Sequence, residues 1–230
     1  MIPYKDENPS LETPYVTYTL IAANVIVFLW QIAGGPDRFQ YLIYEYGYIP
    51  ALFLDNPSAN FYRLFTSMFM HGGWLHLIGN MLYLYIFGDN VEAAYGKIQY
   101  VIFYLISGLA ADLLHTIMFP SSMVPAVGAS GAISGVLGAY MIFYPEANIL
   151  TLVFIYFYVV VERIPAKYYI GFWFLWQLIP ALMGEKTGVA YWAHIGGFIA
   201  GVIMSLPLRD RIRMYRRERY PEYWWWGYTW

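Results

Sequence analysis

Long apolar runs almost free of charge, spaced along almost the whole chain, limit what this sequence can fold into more than any other feature. Tyr15 to Ala33 contains no charged residue, and about 19 residues rising 1.5 Å each cross a hydrocarbon core of about 30 Å. Further runs lie near 73–87, 98–119, 130–144, 168–183 and 191–206, separated by Gly, Pro and charged residues. With 60% hydrophobic and only 12% charged residues, the 230-residue chain lies far from the average soluble domain. The expected fold class is therefore all-α: a polytopic membrane bundle of six transmembrane helices. A long interfacial loop, 37–70, rich in aromatics, is expected between spans 1 and 2. The first run has no basic lead and no small-residue cleavage site, so it reads as a retained span and not a signal peptide. The absence of cysteine removes disulfides, thiolate chemistry and Cys-ligated metals.

The apolar stretch 149–161 is short for a crossing and reads as interfacial or re-entrant. Residues 1–14 are polar and read as a cytoplasmic lead-in, 15–208 as the membrane domain, and 209–230 as a cytoplasmic Arg- and Trp-rich tail. Basic residues set the orientation. With both termini inside, Lys5, Lys97, Arg163, Lys167, Arg209, Arg211, Arg213, Arg216, Arg217 and Arg219 are internal, against Arg38, Arg63 and Lys186 outside. The expected location is thus the cell membrane, multi-pass, with cytoplasmic termini. The arginine cluster follows a span directly and reads as a positive-inside anchor, so no nucleic-acid partner is expected. Trp224, Trp225, Trp226 and Trp230 suit the headgroup zone.

Polar groups inside spans are expensive and need a partner or a task. The candidates are His71, His76, Asn80, Asp112, His115, Ser130, Ser134, Gln177 and His194. Spans 2, 4 and 6 run in the same direction, so His76, Asn80, Ser130 and His194, all near their starts, share one depth. His76 and Asn80 lie on one helical face. Gly197 and Gly201 form a GxxxG pattern facing the small residues Gly131, Ser134, Gly135 and Gly138 of span 4. Close packing of these two spans brings the Ser130 hydroxyl to the His194 ring, as a nucleophile and its base require. Small residues and GxxxG also serve plain helix packing, and a lone histidine can be satisfied by a carbonyl. It is the four polar groups at one depth that packing alone does not explain.

GASG at 128–131, AHIGGFIAG at 193–201 and HGGWLHLIGN at 71–80 together resemble the signature of the rhomboid family of intramembrane serine proteases, over about 14–208. Tyr62-Arg63 resembles the family's aromatic-Arg pair in loop 1, where Trp is usual, and Glu92 matches a structural position. The resemblance implies a serine endopeptidase that cleaves transmembrane protein substrates within the lipid bilayer. It implies Ser130 as nucleophile and His194 as general base, with the Ser130 N–H, His76 and Asn80 as oxyanion hole. His71, Gly128 and Gly197 would line the active site. No cofactor or metal is implied. Substrate would enter past span 5, where Phe172, Trp173, Phe174 and Trp176 suit a gate or simple lipid-facing packing. No carboxylate is expected to orient His194, and Asp112 with His115 is expected at the surface near the outer end of span 3. Two other classes share some of these features. A catalytically inactive relative that binds or escorts membrane proteins would be expected to lack Ser130 or His194. A channel or transporter should show inverted repeats or paired broken helices.

Overall fold

The computed structural model describes residues 1–8, 12–184, 188–212 and 214. Strand β1 (Ile2–Asp6) precedes α1 (Tyr15–Ile32). The next segment forms short helices: α2 (Gly35–Tyr46), α3 (Pro50–Asp55), α4 (Pro57–Asn60), α5 (Arg63–Thr66) and a 3-10 turn, Ser67–Phe69. Then come α6 (Trp74–Tyr95), α7 (Lys97–Met118) and α8 (Ser130–Phe143), followed by β2 (Asn148–Ile155) and β3 (Tyr158–Pro165). The described chain closes with α9 (Ala166–Met183), α10 (Tyr191–Ser205) and a 3-10 turn, Leu206–Leu208. The protein is mostly helical, and three stretches are long and apolar enough to cross a membrane: Tyr15–Ile32, Lys97–Met118 and Tyr191–Ile212.

Helix α8 lies at the centre, with residues 132–140 all buried. Its glycines admit a neighbouring backbone: a Cβ on Gly201 of α10 would stand 2.1 Å from the Gly135 carbonyl oxygen, and one on Gly197 only 1.9 Å from that of Gly131. The two helices run parallel in constant register, and their amino-terminal ends lie together. Helix α7 packs on both through Ser107 and Ala111, while its Gly108 faces Met68 of the 3-10 turn.

Strands β1, β2 and β3 form a three-stranded antiparallel sheet in that order, which corrects the all-α expectation. Stretch 149–161, expected to be interfacial or re-entrant, is not helical. Most of it forms β2 and β3, joined by Tyr156 and Phe157. Apolar content cannot distinguish a buried helix from a strand; the concentration of Val, Ile, Phe and Tyr favours the pleated form.

A second difference concerns span 2, expected near 73–87: the helix continues through Gly88, Asp89 and Asn90, which lie within α6. Their polar groups are consumed inside the fold. The Asn90 amide donates to Asp6 Oδ2 and to the Asn8 carbonyl, and Tyr144 donates to the Asn90 carbonyl. One turn further on, the buried Glu92 carboxylate accepts from the backbone N–H groups of Val16 and Thr17 and from the Thr17 hydroxyl, at 2.7–3.0 Å. It therefore caps the first turn of α1, where unpaired N–H groups and the helix dipole favour a negative charge.

Arg63 is buried in the α2–α5 segment and donates to Asn60 Oδ1 and to the carbonyls of Tyr44 and Gly47. The preceding Tyr62 bonds Glu45, and its ring centroid lies 5.3 Å from the guanidinium carbon. The arginines at 213, 216, 217 and 219, the Trp cluster and Lys186 lie outside the described residues.

Candidate active site

Ser130 is the first residue of α8 and His194 stands in the first turn of α10. The parallel glycine contact sets these two starts side by side, and Ser130 Oγ lies 2.8 Å from His194 Nε2. That distance is within the range for proton transfer between a nucleophile and its base. Ser134, one turn later, bonds back to the Ser130 carbonyl at 2.6 Å and takes no part in the pair.

The His71, His76 and Asn80 side chains gather around the loop that leads into α8. Gly128 adopts φ +126°, in the region that favours glycine, and its N–H donates to the Ser67 carbonyl. A Cβ there would come within 2.7 Å of His76 Nε2 and 3.4 Å of Asn80 Nδ2. Both side-chain nitrogens thus aim at the backbone two residues before Ser130, and glycine leaves them room. Asn80 is held in turn, since its amide nitrogen lies 2.9 Å from His71 Nε2 and His71 Nδ1 lies 3.3 Å from the Phe69 carbonyl. Gln31 of α1 clamps the His71 backbone at both N–H and C=O. His71 is fully enclosed, so its ring bonds Asn80 and does not face an open approach.

Asp112 and His115 are buried, each only 8% exposed, in contrast to their expected surface position. They lie on the inward face of α7 with Ser107, Gly108, Ala111 and Thr116, residues spaced for one helical stripe. Asp112 borders a cavity of about 30 Å³ that Gly128, Ser130, Gly131 and Ser67 also line, a volume suited to one water molecule.

Sequence reasoning left Gln177 without a role. In the structure it is buried, and its Oε1 lies 2.9 Å from His194 Nδ1, the ring nitrogen opposite Ser130. The available signal was the cost of burying an amide in an otherwise apolar helix. The aromatic group on α9 divides: Phe172 and Trp176 are exposed, whereas Trp173 and Phe174 pack inward, Phe174 stacking on Phe198 at 4.5 Å.

Residues 58–211 match the model of the Rhomboid domain. Rhomboid protease AarA of Providencia stuartii is 31% identical over 212 residues, covering 86% of this chain and 73% of that protein. Rhomboid protein 1, mitochondrial, of Saccharomyces cerevisiae is 27% identical over 218 residues, 89% of this chain and 56% of the yeast protein. Rhomboid protease GluP of Bacillus subtilis is 33% identical over 129 residues, 56% of this chain and 24% of its own length. The chain thus spans little more than half of the yeast relative and about a quarter of the Bacillus one.

Proposed function

The chain belongs to the rhomboid family, whose members are multi-pass membrane proteins, and from that premise we propose that it is an intramembrane serine endopeptidase acting through Ser130 and His194. The observation that carries this reading is the 2.8 Å contact between Ser130 Oγ and His194 Nε2 at the joined starts of two parallel, closely packed helices. His194 takes the hydroxyl proton as Ser130 attacks the scissile carbonyl, and returns it to the leaving amine. Water then attacks the acyl-enzyme, with His194 again as base, and frees the Ser130 hydroxyl.

The tetrahedral oxyanion needs donors. The Ser130 N–H belongs to the first turn of α8, where it has no helical partner and the dipole favours negative charge. Asn80 Nδ2 carries two hydrogens; one goes to His71, and the other is free for the oxyanion. His76 Nε2 approaches the same backbone at Gly128. Each such donor is worth about 2.7–4 kcal/mol of transition-state stabilisation.

The substrate class is a membrane-protein helix reached laterally past α9. The helices α1, α6, α7, α8, α9 and α10 would supply six crossings, with residues 209–230 in the cytoplasm and the chain in a cell membrane. The test is labelling of the purified protein by a fluorophosphonate probe, together with cleavage of a transmembrane substrate. Ser130→Ala and His194→Ala should each abolish both. Labelling that persists in Ser130→Ala, or that maps to Ser134, would sink the assignment.

A further inference from the structure

We propose that Gln177 is the positioning residue of the catalytic base, so that the working unit is Ser130–His194–Gln177, oriented by an amide in place of a carboxylate. This rests on the protease reading above and extends it. Three contacts define the unit. Ser130 Oγ lies 2.8 Å from His194 Nε2, Gln177 Oε1 lies 2.9 Å from His194 Nδ1, and Gln177 Nε2 donates to the Trp173 carbonyl one turn back at 3.4 Å.

The Trp173 carbonyl only accepts, so it holds the NH2 end of the Gln177 amide and turns the oxygen toward His194. That oxygen also only accepts. His194 Nδ1 must therefore carry the ring hydrogen, and in a neutral imidazole the lone pair then sits on Nε2, facing the Ser130 hydroxyl. This is the tautomer a base needs. Reversing the amide would present NH2 to Nδ1 and place the lone pair on the wrong nitrogen. Because Gln177 is buried, water does not readily substitute for it.

An amide orients the ring without adding a charge. The ionisable groups that act on His194 from the neighbouring helices are His76 of α6 and His115 of α7, and Asp112 of α7 borders the cavity beside Ser130. Among the described residues no carboxylate is hydrogen-bonded to His194. The site therefore forgoes the anionic partner that stabilises the imidazolium in Ser-His-Asp proteases. The orienting group also comes from α9, the helix past which substrate is proposed to enter. Correct protonation of the base thus depends on the placement of that helix.

The experiment uses the full chain in bilayer nanodiscs and three variants. Gln177→Leu keeps the size and removes the acceptor. It should lower kcat by at least about 10-fold with KM unchanged, short of the ~10⁴-fold loss seen when a charged orienter is neutralised. Gln177→Glu should restore much of kcat and move the acid limb of the pH–rate profile to higher pH, because a carboxylate favours the protonated ring. With only four histidines in the chain, ¹⁵N-histidine NMR reads the tautomer directly, with His194→Ala identifying the signal. Wild type should show hydrogen on Nδ1, and Gln177→Leu should lose that preference. An unchanged tautomer in Gln177→Leu overturns the proposal, whatever happens to kcat, since a rate loss alone would be structural. Failure of the protease reading looks different: the wild type would cleave nothing, or Ser130→Ala would still cleave, while the NMR result for Gln177 would stand by itself.

Discussion

Gly197→Ala tests whether backbone contact sets the active-site geometry. The added methyl would lie 1.9 Å from the Gly131 carbonyl oxygen, whereas real Cβ atoms essentially never approach closer than 3.0 Å, so α8 and α10 must part by about 1.1 Å. The carbonyl is backbone and cannot swing away, and Ser107 O already stands 3.4 Å from the methyl on its α7 side. His194 sits one turn before Gly197. A displacement of that size carries Nε2 from 2.8 Å to beyond the ~3.2 Å reach of a productive hydrogen bond. A misplacement of about 1 Å costs about 100-fold in rate, and overpacking costs about 1–3 kcal/mol of stability. The assay is the rate of fluorophosphonate labelling, with thermal unfolding measured in the same detergent. Gly79→Ala in α6 is the control, since a Cβ there meets nothing within 4 Å. Wild-type labelling and stability in Gly197→Ala would refute the reasoning.

Two further substitutions probe the scaffold. Glu92→Ala should lower stability by about 2–4 kcal/mol, because it strips the cap from α1 and leaves buried donors unpaired; an unchanged unfolding temperature would show that the carboxylate is dispensable. Arg63→Lys should cost about 1–3 kcal/mol through loss of the forked contacts to Tyr44, Gly47 and Asn60, visible as faster proteolytic nicking of the α2–α5 segment, and equal nicking rates would contradict it.

Helix placement was legible because apolar length is a strong signal: α1, α7 and α10 begin within a residue of where composition and turn residues put them. Ser130, His194, His76 and Asn80 stood out because a polar group in a span demands a partner. The same rule covered Gln177, yet its partner lies on another helix, and a neutral amide gives no charge signal to pair with a histidine. Asp112 and His115 lie near a helix end, which points to the surface, but the small residues Ser107, Gly108 and Ala111 on the same face of α7 let neighbouring elements close over them. The β2–β3 hairpin was hidden by its own apolarity, although the run Val159-Val160-Val161 pointed to strand.

The pairing of β1 with β2 imposes a parity rule on the chain. Strands joined by backbone hydrogen bonds occupy one side of a membrane, so the polypeptide between Asp6 and Asn148 must cross an even number of times. Any threading that leaves one of α1, α6, α7 and α8 uncrossed while the other three span is thereby forbidden. The same pairing orders assembly in time: the first strand made cannot find its neighbour until some 140 later residues have been threaded back to the side where it waits.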